Sequence, residues 1–158
     1  MKKLGVLVAA LSISLVVFAL WMTRSWPFDG LPTPEPVSWS EASVDADAIT
    51  VSGTAHYTLR ASVTRGARMG KDAQELWIFP LMEKGDVNSK RVRIMVAMEK
   101  EPGKTVTYED LTVSGWARPP GVAMNRQLED SFMGAGYDFA EDYFVLEVFP
   151  VDAPEGGQ

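Results

Sequence analysis

The chain has 158 residues, a net charge of −6 and no cysteine, which is enough for one domain and excludes both disulfide bonds and a lipid-modified cysteine. Hydrophobic residues make up 46% of the chain, which excludes wholesale disorder. The acidic balance argues against a nucleic-acid partner.

An uncharged apolar segment comes first. Leu4–Met22 carries no charge over about 19 residues, and a helix of that length spans the roughly 30 Å hydrocarbon core of a bilayer. A cleaved signal peptide is the alternative, but its apolar region is usually about 7–15 residues. The exit at Ala19–Arg24 also lacks a small-x-small cleavage pattern. We therefore predict a transmembrane anchor over 1–24, formed by Leu4, Val8, Leu11, Leu15, Phe18 and Trp21.

Basic residues predict the orientation of this anchor. Lys2 and Lys3 precede the apolar segment, and Arg24 alone follows it closely. Because basic residues stay on the cytoplasmic side, the N-terminus is predicted to be cytoplasmic and the rest of the chain exported. The expected localisation is the inner (cell) membrane, single-pass, with a periplasmic C-terminal domain.

Proline marks the next segment. Trp26–Pro36 holds four of the ten prolines, which favours an extended chain. We predict a linker over 25–36, although an irregular strand that packs on the domain fits equally well. An exported β-domain over 37–150 and a flexible tail over 151–158 complete the predicted organisation.

Strand patterns dominate the domain. From Thr50 to Thr64 odd positions are apolar or small and even positions are polar, which predicts one long strand with a core face and a water face. Further strands are predicted over 75–82, 91–98, 111–118 and 143–149. Pro80 limits its strand to an edge, an end or a bulge. Thr50–Gly53 recurs as Thr112–Gly115, an echo too short to establish a repeat.

One helix is predicted among these strands. Met124, Leu128 and Phe132 lie four residues apart on one helical face, and Gly134 can end the helix. The predicted fold class is therefore mainly β: a transmembrane helix followed by a small antiparallel β-barrel or sandwich with one short helix.

Candidate chemistry centres on His56, the one histidine. It could carry a proton or bind a metal or haem, but Tyr57 points to the opposite strand face and a metal site needs several converging ligands. Nucleophile-elbow, phosphate-loop and dinucleotide-loop patterns are absent from the sequence. Methionine sulfur suits Cu(I), yet Met95 and Met98 face opposite sides, and core filling is favoured. No catalytic residue, metal or cofactor is predicted, and the protein is not expected to be an enzyme.

Charge and aromatic residues favour contact with a partner. Basic residues concentrate between Arg60 and Arg93, and all the charged residues after Arg126 are acidic. A bipolar surface suits docking, while two solvated faces without a partner are the alternative. Aromatic side chains exceed what a small barrel needs inside. The possible partner contacts are Trp26, Arg60, Arg91, Arg93, Trp116 and Tyr137.

The order of three short motifs resembles a known family. Val51-Ser52-Gly53, Phe79-Pro80-Leu81 and the segment Ser114–Pro120 are similar to the Surfeit-locus family of cytochrome oxidase assembly proteins. The resemblance covers roughly 50–120 and implies an early membrane helix with an exported β-domain. The family's arginine before Gly-Trp is Ser114 here, and its second membrane helix has no counterpart.

The expected function is that of a non-catalytic accessory or assembly subunit. Its exported domain would dock on an integral membrane protein complex of the inner membrane. A respiratory complex is the first candidate. The alternative is a periplasmic metal or haem chaperone or another ligand-binding domain. Haem chaperones of c-type cytochrome maturation share the plan of anchor plus barrel. Their haem-carrying histidine lies in a late His-x-x-x-Tyr segment, whereas His56 lies early and is followed directly by Tyr57.

Overall fold

A computed structural model describes residues 31–66, 73–102 and 106–150. Within these ranges no helix is both long and apolar enough to cross a membrane. The predicted anchor and the tail lie outside the described residues, as does the first half of the linker.

Seven strands and one α-helix make up the described chain. They are β1 (Glu35–Pro36), β2 (Ala48–His56), β3 (Ala61–Arg65), β4 (Gln74–Met82), β5 (Arg91–Met98), β6 (Tyr108–Arg118), α1 (Arg126–Gly134) and β7 (Asp138–Val148), with a 3-10 turn at Pro120–Val122. The mainly β class with one short helix is confirmed. Asn125 caps α1 by accepting a hydrogen bond from the Leu128 amide at 2.8 Å.

Five of the strands close into a barrel. Their order is β2-β6-β7-β5-β4, and β4 returns to pair with β2. Neighbours in the barrel are antiparallel except β5 and β7, which are parallel. The order β6-β2-β4-β5 is that of a Greek key, so the architecture is a five-stranded Greek-key barrel, the class that includes the OB-fold.

Two apolar clusters hold the fold together. The first fills the barrel and includes Ile49, Phe79, Ile94 and Phe144, each fully buried. The second lies on the outer face of β4, β5 and β7, where α1 covers it with Phe132. The outer face of the β2–β6 pair is left uncovered by this helix, and it carries the polar side chains described below.

The predicted single strand over Thr50–Thr64 is wrong in its continuity. The chain turns between β2 and β3, where the Tyr57 amide donates to the Thr107 carbonyl at 2.9 Å and the Tyr57 ring enters the barrel. Apolar and polar residues still alternate after the turn, but the apolar residues there pack against a different cluster. Ile49 and Val51 pack inside the barrel, whereas Val63 packs against the outer cluster.

Pro80 lies where β4 exchanges one neighbour for another. Ile78 pairs with β3 and Leu81 pairs with β2, so Pro80 falls between the two pairings. A residue without an amide proton is tolerated at such a break in the ladder. The short strand β1 pairs with the first half of β2, on the same edge of β2 with which β4 pairs further along the strand. The last two residues of the predicted linker are therefore this short strand.

The four-residue echo has a structural counterpart. The two segments lie side by side in β2 and β6, with Val51 opposite Val113. Thr50 and Ser114 share a hydrogen bond of 2.7 Å, and the equivalent pair Ser52 and Thr112 shares one of 2.6 Å. The pairing therefore has a local two-fold relation, in which the threonine of each segment bonds the serine of the other.

Each copy of the echo ends at a glycine where a third strand comes close. A Cβ on Gly53 would stand 2.4 Å from the Met82 carbonyl oxygen, and a Cβ on Gly115 would stand 2.2 Å from that of Glu147. Neither distance can be accommodated without moving backbone. The two glycines therefore allow β2 to meet β4 and β6 to meet β7, which is how the sheet closes.

Candidate functional site

A cavity of about 400 Å³ opens at one end of the barrel. Four segments of the chain form its wall: the lead-in to β2, the end of β4, the β4–β5 loop with the start of β5, and the first half of β7. Apolar surface comes from Trp39, Met82 and Ala140. The polar lining consists of Glu83, Asp86, Ser89, Arg91, Arg93 and Asp142.

An irregularity in β7 helps to form this cavity. Val92 pairs with Phe139, but Ile94, two residues on, pairs with Phe144. Four residues of β7, 140–143, therefore lie opposite one residue of β5, Arg93, and they form a bulge that includes Ala140 and Asp142. Bulges of this kind re-aim side chains and recur beside functional sites.

Arg93 is the best-anchored charged group of the cavity. Its Nε donates to Asp142 Oδ2 at 3.1 Å, and its Nη1 donates to the Ser40 carbonyl. The guanidinium lies over the Trp39 ring, 6.0 Å from the ring centre. Trp39 is itself anchored, because its indole N–H donates to the Leu81 carbonyl at 3.1 Å. The cation and the aromatic ring are thus held in one arrangement.

The β4–β5 loop folds over the end of β2 and forms the next part of the wall. Asp86 Oδ1 accepts from the Asn88 and Ser89 amides at 3.1 Å and 2.8 Å. Gly85, at φ +83°, donates its amide to Thr54 Oγ1 at 2.7 Å. The even positions of β2 were predicted to face water. That prediction is wrong for Thr54, which this loop buries to 2% exposure.

His56 is the second even position that the loop buries, again to 2% exposure. Its Nε2 donates to the Asp86 carbonyl at 2.9 Å, which leaves Nδ1 to accept from the Tyr137 hydroxyl at 3.4 Å. The ring also packs edge-on against Tyr108. His56 therefore holds the loop that carries Asp86, and both of its ring nitrogens are engaged. Tyr57 lies in the barrel core, as strand parity predicts.

The basic and acidic segments of the sequence meet in the structure. Arg65 donates to Glu147 at 2.6 Å, and Arg93 pairs with Asp142 at 3.1 Å. The second of these pairs follows from the parallel pairing of β5 and β7, which places a basic strand beside an acidic one. Charges that are well separated along the chain are therefore neutralised locally.

The predicted partner contacts fall into separate places. Arg91 and Arg93 line the cavity, while Arg60 lies over the Trp77 ring at 5.9 Å. Trp116 packs against Phe149 on the outer face of β6. The remaining predicted contacts are Tyr137, which is 5% exposed and packs in the outer cluster, and Trp26, which lies outside the described residues.

Sequence reasoning did not single out the ring and the acid that complete the cavity. Trp39 has no periodic pattern around it, and Asp142 looks like any acid of an acidic strand. Both become recognisable only through contact with Arg93. The available signal was the cation of Arg93 within a strand that is apolar except for Arg93 and Arg91.

The uncovered outer face of β6 is a second surface of interest. Its even residues point outward opposite their β2 partners, beginning with Tyr108 beside His56 and ending with Trp116 and Arg118. Tyr108 is 42% exposed, and the Arg118 guanidinium lies 5.7 Å from the Trp116 ring. Tyrosine, tryptophan and arginine are the residue types that carry most binding energy at protein interfaces.

Tyr57, which is buried, and Tyr143, which is partly buried, make the stability of the fold depend on alkaline pH. Burial raises the pKa of Tyr57 above its ordinary 10.0, and a hydrogen bond to Glu109 raises it further. Burial and a hydrogen bond to Glu129 likewise raise the pKa of Tyr143. The unfolded chain therefore loses these protons first as pH rises. The contribution of these groups to the free energy of unfolding should stay constant up to about pH 10. Above that pH it should fall by at most about 1.4 kcal/mol per pH unit per tyrosine.

Urea unfolding of the full chain on either side of about pH 10 measures this effect. Replacing both tyrosines, Tyr57→Phe with Tyr143→Phe, should reduce the alkaline decline because two of the titrating groups are gone. Burial also raises the pKa of Tyr137, which contributes to the decline that remains. An unchanged decline in the double variant would contradict the assignment.

The described residues define a closed five-stranded Greek-key barrel with one covering helix and one amphipathic cavity. Comparison with protein-family models, with curated proteins and with solved structures finds no match to the chain. Among residues 31–66, 73–102 and 106–150, no three His, Asp or Glu side chains are grouped to hold a metal ion.

Proposed function

We propose that the protein is a non-catalytic single-pass membrane protein whose exported barrel docks on an integral membrane protein complex. The observation that carries the proposal is the uncharged segment Leu4–Met22, preceded by Lys2 and Lys3. A segment of this length and composition spans a bilayer and leaves the following domain on the far side. The domain would then act at the inner membrane as an accessory or assembly subunit.

The engagement of the chemically versatile side chains supports a non-catalytic role. His56, the residue best suited to proton transfer near neutral pH, has both ring nitrogens in hydrogen bonds and is 2% exposed. Arg93 and Asp142 form an ion pair. These groups maintain the loop and the cavity wall. A metal or haem ligand at His56 would have to break the contact with Asp86 or Tyr137.

The surface on the outer face of β6 is the proposed docking surface. It offers Tyr108, Trp116 and Arg118 on a face that α1 does not cover. A partner that buried these side chains would gain from aromatic area and from a guanidinium held against an aromatic ring. The resemblance to the Surfeit-locus family makes cytochrome oxidase the first complex to test.

Purification of the full chain from native membranes in mild detergent should recover a membrane complex in stoichiometric amount. Arg118→Glu should abolish the recovery, because the reversed charge would replace the cation on the Trp116 ring. Arg126→Glu is the matched control, since it makes the same charge reversal at the start of α1 and should leave recovery intact. A monomer without partners at native expression, or equal recovery with Arg118→Glu, would contradict the proposal.

The membrane segment has its own test. Replacing Leu4–Met22 with an unrelated apolar helix should preserve localisation. If the anchor only tethers the domain, partner recovery should also persist. Gly5, Ala9, Ser12 and Ala19 offer small side chains for close helix packing, so loss of the partner would assign docking to the helix as well.

A further inference from the structure

We propose that the cavity between Trp39 and the β7 bulge binds a small organic anion, an apolar group that bears one carboxylate. This goes beyond docking on a membrane complex, which does not require the cavity. The proposal rests on the size of the cavity, on the position of its charges and on the fixed geometry of its walls.

The size and apolar surface suit a small molecule. Ligand sites usually enclose about 300–1,000 Å³, and this cavity has about 400 Å³. Met82 is 1% exposed and Ala140 is 8% exposed, so both form buried wall. The Trp39 ring, which is partly exposed, is therefore the surface against which a flat or short apolar group can pack.

The placement of charge decides the sign of the ligand. The Arg93 side chain is 23% exposed, while the Asp142 side chain that pairs with it is 65% exposed. The cation is therefore the more buried member of the pair, and its counter-charge lies largely in water. Asp86 directs one carboxylate oxygen to two backbone amides of its own loop. An anion is thus favoured at the inner end of the cavity.

Arg91 supplies a second cation for the same anion. Its guanidinium has no hydrogen bond or ion pair with the other described residues, although it lines the cavity. Glu83, the remaining acid of the wall, is exposed, as Arg91 is. A guanidinium binds a carboxylate through two parallel hydrogen bonds, so Arg91 is suited to close on a bound carboxylate.

The geometry of the wall is already in place before a ligand arrives. The indole N–H of Trp39 is bonded to the Leu81 carbonyl, and Arg93 is bonded to both Asp142 and Ser40. His56 holds Asp86 through its carbonyl. Groups that are ordered in advance lose little conformational entropy on binding, which favours affinity.

The test uses the full chain in lipid nanodiscs, so that no detergent competes for the cavity. Benzoate is the probe, and the NMR signal of the Trp39 indole N–H, assigned with Trp39→Phe, reports on the site. Benzoate at millimolar concentration should shift this signal in a saturable way. Benzamide, which keeps the ring and lacks the charge, and acetate, which keeps the charge and lacks the ring, should each bind at least about tenfold more weakly.

Substitutions separate the cavity from nonspecific binding of anions. Arg91→Gln removes a guanidinium that makes no described contact, so the fold should persist while benzoate affinity falls about tenfold to a hundredfold. Arg126→Gln, at the start of α1 and exposed, is the matched control and should leave affinity unchanged. Absence of a saturable shift, equal binding of benzamide, or an equal loss in Arg126→Gln would each overturn the proposal. None of these results would affect recovery of a membrane partner.

Discussion

Gly115→Ala is expected to lower the free energy of unfolding by about 3 kcal/mol or more, one of the two largest effects that we expect from a single substitution. The added Cβ would stand 2.2 Å from the Glu147 carbonyl oxygen and 2.7 Å from its carbonyl carbon. Both atoms are backbone, so relief requires β6 and β7 to separate. Overpacking a well-filled site typically costs about 1–3 kcal/mol, and a clash with backbone lies at the upper end.

Gly121→Ala is the matched control for this substitution. A Cβ at Gly121 meets no atom within 4 Å, and the backbone there does not adopt a positive φ. Urea unfolding of the full chain should therefore show a large decrease in the midpoint for Gly115→Ala and little change for Gly121→Ala. Similar midpoints for the two variants would mean that β6 and β7 do not depend on this close approach.

Phe132→Ala is expected to cost about 3–5 kcal/mol, the range for truncating a buried phenylalanine. Phe132 is fully buried, and its ring packs edge-on against Tyr137 and Phe139. It is the one described residue of α1 that is fully buried, so its removal takes away the main contact of the helix with the barrel. The helix should then loosen from the outer face of β4, β5 and β7.

The neighbouring residue provides the control. Met133 is 48% exposed on the same helix, so Met133→Ala should change the free energy of unfolding by less than about 0.5 kcal/mol. Near-ultraviolet circular dichroism should report the loosened aromatic packing in Phe132→Ala and not in Met133→Ala. Equal effects of the two substitutions would show that α1 does not depend on Phe132 for docking.

Strand periodicity predicted much of the barrel. The strand over 91–98 has the observed bounds, and that over 75–82 begins one residue late. The strands predicted over 111–118 and 143–149 begin in the structure at Tyr108 and Asp138, three and five residues earlier than predicted. The start of β6 is Tyr108-Glu109-Asp110, and the start of β7 holds three acids among 138–142, so neither has apolar alternation. Both are strands because neighbouring strands complete their ladders. Long-range pairing of this kind is not encoded in a local window.

The two apolar clusters show what a local sequence pattern does not predict, namely which cluster an apolar residue joins. Val51 and Val63 have the same parity in one alternating stretch, yet the first lies in the barrel and the second in the outer cluster. The turn that follows β2 changes which surface the apolar residues meet, and periodicity records only that they are apolar. The burial of His56 has a similar origin, because a loop from a distant part of the sequence covers it.

The amino-acid sequence by itself determined the mainly β class, the position of the short helix and the charge of each segment. It also contains the apolar segment on which the membrane proposal rests. Those features depend on neighbours within a few residues along the chain. The tertiary structure alone decided that the echoed segments pair and close the barrel at Gly53 and Gly115. It also brought Trp39, Arg93 and Asp142 into one cavity, because contacts between distant segments arise from strand order and not from local spacing.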